Sequence, residues 1–171
     1  MTHRGILLMG KKLLISLLLI TGSLYAGLLE DGLDAYSNGD DDKAIELWTQ
    51  SCNNNNMKSC INLADIYKEE YNVRKDLQKA LNIYEKACKS GNMTGCYNLG
   101  LFYENGTGIK KDKQKALNIY EKACKSGNPQ SCHSLGLAYF YGDGVKQDRQ
   151  KATRLYKKAC KAGNISSCYK I

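Results

Sequence analysis

Apolar positions along this chain fall on one helical face, and the face recurs. Between Asp112 and Ser126, residues Ala116, Ile119, Tyr120 and Ala123 follow one another at intervals of three, one and three, the spacing of one buried helix side. The surrounding segment is itself a copy. Asp76–Asn92 reappears 36 residues later as Asp112–Asn128, changed only at Lys113, and again with more drift as Asp148–Asn164. Leu63, Leu99 and Leu135 keep the same step, as do Tyr67, Tyr103 and Tyr139. A fixed period in this range marks a repeat architecture, in which each unit buries its apolar face against its neighbours.

Each unit reads as two helices. The first opens near Cys96-Tyr97-Asn98-Leu99-Gly100-Leu101-Phe102-Tyr103, and the second runs from about Asp112 to Ser126. Gly106-Thr107-Gly108 and Gly142-Asp143-Gly144 supply the turns between them, and Gly127 stops the second helix. The N-terminal unit is shorter: Tyr36-Ser37-Asn38-Gly39-Asp40 leads straight to Ala44, Trp48 and Cys52, as suits a terminal repeat. The unit from Ser59 to Thr94 carries Glu69-Glu70-Tyr71-Asn72-Val73 where its glycine loop belongs, so its turn must differ. The expected architecture is an all-α solenoid with units at about 28–58, 59–94, 95–130 and 131–166 and a truncated helix over 167–171.

The first 26 residues follow another pattern. Lys11 and Lys12 precede the apolar run Leu13–Ile20, and Thr21–Ala26 forms a small-residue exit. This is the layout of a secretory signal peptide, expected to be cut after Ala26. The run is far short of the ~20 residues a membrane span needs. Met9-Gly10-Lys11-Lys12 would by itself make a compact leader start. The expected location is therefore secreted or periplasmic.

Composition adds two facts. At 171 residues, 43% hydrophobic and 25% charged, the chain has an ordinary one-domain make-up, but it holds eight cysteines and one proline. The net charge of +8 falls to +5 when Arg4, Lys11 and Lys12 leave with the leader, because 22 basic residues then face 17 acidic ones. Charges interleave, as in Glu85-Lys86 and Glu121-Lys122, with no basic run carrying interspersed aromatics, so nucleic acid is not an expected partner.

Leu99-Gly100, Tyr103, Gly106-Thr107-Gly108-Ile109, Asp112, Lys115-Ala116, Tyr120 and Lys122-Ala123 spell a known consensus. Leu135-Gly136, Tyr139, Gly142-Asp143-Gly144-Val145, Asp148 and Lys151-Ala152 spell it again. The chain resembles the Sel-like repeat family, relatives of the tetratricopeptide repeat. The cysteine spacing C-x7-C in every unit narrows the resemblance to Helicobacter-type cysteine-rich secreted proteins. It covers roughly residues 28–171.

The cysteines at 52, 60, 88, 96, 124, 132, 160 and 168 form pairs eight apart, and the pairs step by 36. In a helix–turn–helix reading, one cysteine closes a second helix and its partner opens the next first helix. The register then selects Cys52–Cys60, Cys88–Cys96, Cys124–Cys132 and Cys160–Cys168 from the many connectivities eight cysteines allow. Each short loop contributes ~2.5 kcal/mol in the chain-entropy model. Metal is not expected: zinc sites favour closer pairs such as C-x2-C, and His133 is the one histidine left once His3 departs. No cofactor is expected.

Two functional classes follow. In tetratricopeptide relatives the first helices line a concave groove, and Asn62, Asn98 and Ser134 share one register there. Amides both donate and accept, so this ladder suits a peptide backbone or a glycan. Peptide, host protein or peptidoglycan fragment is the expected partner class, and a monomer the expected state. The family resemblance separately implies weak penicillin binding or β-lactamase activity. Ser167-Cys168-Tyr169-Lys170 fits S-x-x-K, although 11 serines and 21 lysines make about one such match by chance. Lys89-Ser90-Gly91 and Lys125-Ser126-Gly127 resemble K-T-G but recur as helix ends. The two glycine turns lack the strand, spacing and lysine of a phosphate loop. No nucleophile or general base can be named from these residues.

Overall fold

Aspartate and asparagine begin nearly every helix, and glycine ends or separates most of them. The computed structural model describes residues 27–69 and 75–171, and every regular element among them is a helix. The expected leader over 1–26 and all but the first residue of the Glu69–Val73 turn lie outside the described residues. The chain divides into two compact units, Met1–Ile66 and Tyr67–Ile171.

The first unit holds α1 (residues 27–37), α2 (Asp41–Asn53) and most of α3 (Met57–Lys68). Asp40 caps α2 by accepting the Lys43 amide. Trp48 is buried, and its indole N–H donates to the Leu29 carbonyl at 3.2 Å. Gly32 makes room for it, since a Cβ there would stand 2.3 Å from the indole nitrogen. The turn from α2 to α3 uses Asn55 at φ 65°, a left-handed position that asparagine tolerates. Cys52–Cys60 ties the two helices with Cα atoms 4.7 Å apart, and Ser59 donates to Ser51 beside it at 2.8 Å.

The second unit repeats one design. Its helices are α4 (Leu77–Lys89), α5 (Met93–Asn105), α6 (Lys113–Lys125), α7 (Pro129–Tyr141), α8 (Arg149–Lys161) and α9 (Ile165–Cys168). Each packs chiefly on its neighbours in sequence. Asp76, Asp112 and Asp148 cap α4, α6 and α8, while Asn92, Asn128 and Asn164 cap α5, α7 and α9. Each cap side chain satisfies an amide that the first turn leaves without a helical partner. The first helices therefore start three residues before their cysteines: α5 begins at Met93, not near Cys96. Cys168 likewise closes the four-residue α9, where the sequence suggested that it opens a helix.

Disulfides Cys88–Cys96, Cys124–Cys132 and Cys160–Cys168 hold the α4–α5, α6–α7 and α8–α9 corners, with Cα separations of 4.4, 4.6 and 4.9 Å. Within each helix pair the grip is aromatic. Tyr120 of α6 lies across Gly100 of α5, and Tyr156 of α8 across Gly136 of α7. Both rings are buried among the alanines and leucines of their repeats.

A Cβ at residue 100 would fall 2.3 Å from the Tyr120 ring. Gly100→Ala should therefore destabilise the chain by ~1–3 kcal/mol through overpacking, despite the ~1 kcal/mol that alanine gains over glycine in a helix. Urea unfolding followed by circular dichroism checks this; a stabilised variant would show that the ring does not fix the helix spacing.

Candidate functional site

The same aromatic contact builds the candidate site. Because Tyr120 crosses a glycine, its ring passes over α5 instead of stopping against it. Its hydroxyl donates to Glu104 Oε2 at 2.7 Å, and Ser134 of α7 lies near the same phenol. Burial, then the Glu104 carboxylate, push the Tyr120 pKa far up, so the phenol remains a donor at any working pH. One carboxylate and one phenol, supplied by α5 and α6, thus form a fixed polar pair, with the Ser134 hydroxyl of α7 nearby.

Asn98 and Ser134 occupy the same register on α5 and α7, and both are half-buried. Asn62, also half-buried, stands on α3 in the first unit. The structure places Ser134 near the Tyr120 phenol. Glu104 and Tyr120 are the members that sequence reasoning missed. Tyr120 had been assigned to packing alone, and Glu104 occupies a register held elsewhere by Lys68 and Phe140. Its signal was its place one helical turn after Gly100.

A second set of contacts links the repeats. Lys115 Nζ donates to the Tyr103 hydroxyl at 2.6 Å, and Tyr103 donates to Glu85 Oε1 at 3.3 Å. Lys151 and Tyr139 make the same 2.6 Å contact one repeat on. The bond to Tyr103, with further help from Glu85 and Asp112, raises the Lys115 pKa. An open cleft of about 640 Å³ lies beside Tyr139 and Lys151, closed on one side by the 144–148 loop.

The S-x-x-K serine sits elsewhere. Ser167 on α9 is fully buried, and its hydroxyl hydrogen-bonds His133 Nδ1 of α7 at 2.6 Å. Burial, then the positive charge of Lys170, lower the His133 pKa, favouring neutral imidazole. Ser90 and Ser126, the central residues of the K-T-G look-alikes, are exposed C-caps of α4 and α6. All eight cysteine sulfurs are held in disulfides, so none is a free nucleophile.

Helix pairs joined by glycine turns, stacked in sequence and locked at their corners by disulfides, define a repeat scaffold of the tetratricopeptide type. The Sel1 repeat model matches residues 24–56, 58–92, 94–128 and 129–164, and the chain belongs to the Sel1 repeat family. Solved relatives agree. A Sel1 repeat protein from Oxalobacter formigenes is 26% identical with a TM-score of 0.74, over 84% of this chain and 60% of that one. The protective antigen c5321 of uropathogenic Escherichia coli, which displays an SLR fold, is 30% identical with a TM-score of 0.74, over 84% of this chain and 32% of its own. Helicobacter pylori cysteine-rich protein B is 34% identical with a TM-score of 0.63, over 77% of this chain and 96% of that one. This chain thus spans less than two thirds of the first two relatives and nearly all of the third. No curated protein matches it.

Tyr120 and Tyr156 are repeat equivalents with different surroundings. The Tyr156 hydroxyl is buried without a hydrogen-bond partner among the described residues, because Phe140 stands where Glu104 would be. Tyr120→Phe should cost about 1 kcal/mol, whereas Tyr156→Phe should change stability by less than about 0.5 kcal/mol, since no bond is lost. Equal losses in thermal or urea unfolding would show that the two phenols are equally satisfied.

Proposed function

We propose that this chain is an extracytoplasmic scaffold that binds an extended peptide segment of a partner protein along the face carrying Asn98 and Ser134. The reading rests on the Tyr120–Glu104 bond and on Asn98 and Ser134, half-buried polar residues that share one register on α5 and α7. Repeat cores need apolar contacts and caps, not a carboxylate–phenol bond between successive helices with further half-buried polar side chains in register. Such a set is prepaid in conformational entropy, and rigid donors and acceptors bind a flexible peptide at lower cost. Glycan and cell-wall fragments share some of this hydrogen-bonding chemistry. An extended peptide fits better because its N–H and C=O groups repeat along a line, as the repeats do.

The disulfides support the extracytoplasmic part of this reading. Four disulfides persist in oxidising compartments and are rare in the cytosol. The proposed leader over 1–26 would deliver the chain there. No helix among the described residues is long and apolar enough to cross a membrane.

Asn98→Ala provides the test. Peptides selected from a random phage-displayed library on the exported, oxidised protein should lose about tenfold in affinity on this change, the worth of one well-made hydrogen bond. Selected peptides that bind the variant equally well would move the site off this face.

The hydrolytic reading has one observation in its favour, the 2.6 Å contact between Ser167 and His133 Nδ1 in the S-x-x-K segment. Against it, Ser167 has no exposed surface, and a nucleophile must reach its carbonyl. The scaffold reading therefore expects no nitrocefin turnover above buffer. Turnover abolished by Ser167→Ala would establish the enzyme instead.

A further inference from the structure

Charge is segregated along this chain in a way that the repeat does not require. The span of α1 and α2, residues 27–53, carries seven acidic residues and one lysine, a net charge of −6. The span of α8 and α9, residues 149–171, carries seven basic residues and no acidic one, a net charge of +7. Both sets are mostly exposed: Glu30, Asp31 and Asp34 on α1, and Arg154, Lys157, Lys158 and Lys161 on α8. The last three of these basic residues stand three, four and seven positions after the first, so all four share one side of their helix.

Lys158 and Lys161 keep the register of Lys122 and Lys125, whereas Arg154 and Lys157 replace Asn118 and Glu121 and depart from the repeat. Leu81 and Leu117 are buried, and Leu117 packs against Leu135 and Ala138 of the following helix. Thr153 takes that register in α8. Glu85 accepts a hydrogen bond from Tyr103 of the next helix, and Lys157 takes the register of Glu85 and Glu121. The positions that elsewhere receive the next helix pair have become polar and basic here.

A solvated capping face explains polarity but not single-sign charge, and it does not explain what lies beside that charge. On and just after α9, Ile165 is 71% exposed and Tyr169 84% exposed, and Leu33 is 41% exposed among the α1 carboxylates. A surface selected only for solubility mixes its charges and avoids large exposed apolar side chains. Opposite charges, each set around apolar side chains, are what two docking partners present.

We propose that the acidic α1–α2 face of one copy of this chain docks on the basic α8–α9 face of a second copy. Leu33 is then covered from water by the region of Ile165 and Tyr169, with the carboxylates and cations pairing around them. The two faces differ, so the contact is heterologous, and it closes into a reciprocal pair or continues as a chain according to its rotation. Association of this kind goes beyond the monomer expected from the repeat pattern alone.

Sedimentation velocity on the exported protein tests this at about 20 mM and about 500 mM sodium chloride, either side of the screening length that exposed charges feel. The weight-average mass should rise roughly twofold at low salt and return to the monomer at high salt. Asp31→Lys with Asp34→Lys, and separately Arg154→Glu with Lys157→Glu, should each give a monomer at low salt. An equimolar mixture of the two variants should associate again, because each then offers what the other lost. A wild-type monomer at low salt, or reversals that leave association intact, would overturn the proposal. So would binding to phosphatidylglycerol vesicles by a protein that stays monomeric in solution, which assigns the basic face to an anionic lipid surface. Circular dichroism on each variant confirms the fold, and the wild-type salt series decides the matter by itself if a variant fails to fold.

Discussion

The contact on which the second unit depends is an aromatic ring laid across a glycine. Tyr120 over Gly100 and Tyr156 over Gly136 set how closely the two helices of a pair approach, because a methyl group at either glycine would overlap the ring. A ring that crosses its partner helix also delivers its hydroxyl to the far side. One packing choice therefore fixes the helix spacing and, in the case of Tyr120, brings a buried phenol against Glu104. Trp48 against Gly32 does the same in the first unit, with the indole N–H spent on the Leu29 carbonyl.

The disulfides act at the other joint. Each closes the corner between one pair and the next, where the chain turns through a left-handed residue: Asn55 once, then Gly91, Gly127 and Gly163. A solenoid has no single central core, so its units separate more easily than the layers of a globular domain. Cross-links between neighbours oppose that opening in the denatured ensemble as well as in the folded one. With rings inside pairs and cross-links between them, no long-range contact is needed to hold the register.

Sequence reasoning reached whatever is repeated. The period, the cysteine pairing and the buried tyrosine register each depend on residue types recurring at one step, and recurrence raises them above chance. The starts of the first helices were missed by three residues because the cysteine drew the eye while the cap, Asn92, stood earlier. The Glu104–Tyr120 bond was not legible because its key residue occurs once: the register of Glu104 reads lysine, glutamate and phenylalanine in successive units. The Ser167–His133 contact was hidden for the same reason, since His133 holds a register that tyrosine takes at residues 97 and 169.

What departs from the repeat is therefore where function is to be sought. A residue that keeps step is accounted for by stacking; one that breaks step must be held by something else. Glu104 breaks step and gains a buried phenol. Phe140 breaks the same step and leaves the Tyr156 hydroxyl without a partner. Thr153 and Lys157 break step together and turn a helix-receiving surface into a basic one. The first departure lies on the face of the first helices, and the last pair lies on α8. The scaffold thus separates two surfaces, one shaped by hydrogen-bonding groups and one by charge. Short-range directional bonds select a ligand by geometry, whereas charge acts over roughly 10 Å and weakens with salt. The two surfaces can accordingly respond to different partners and to different conditions without sharing a residue.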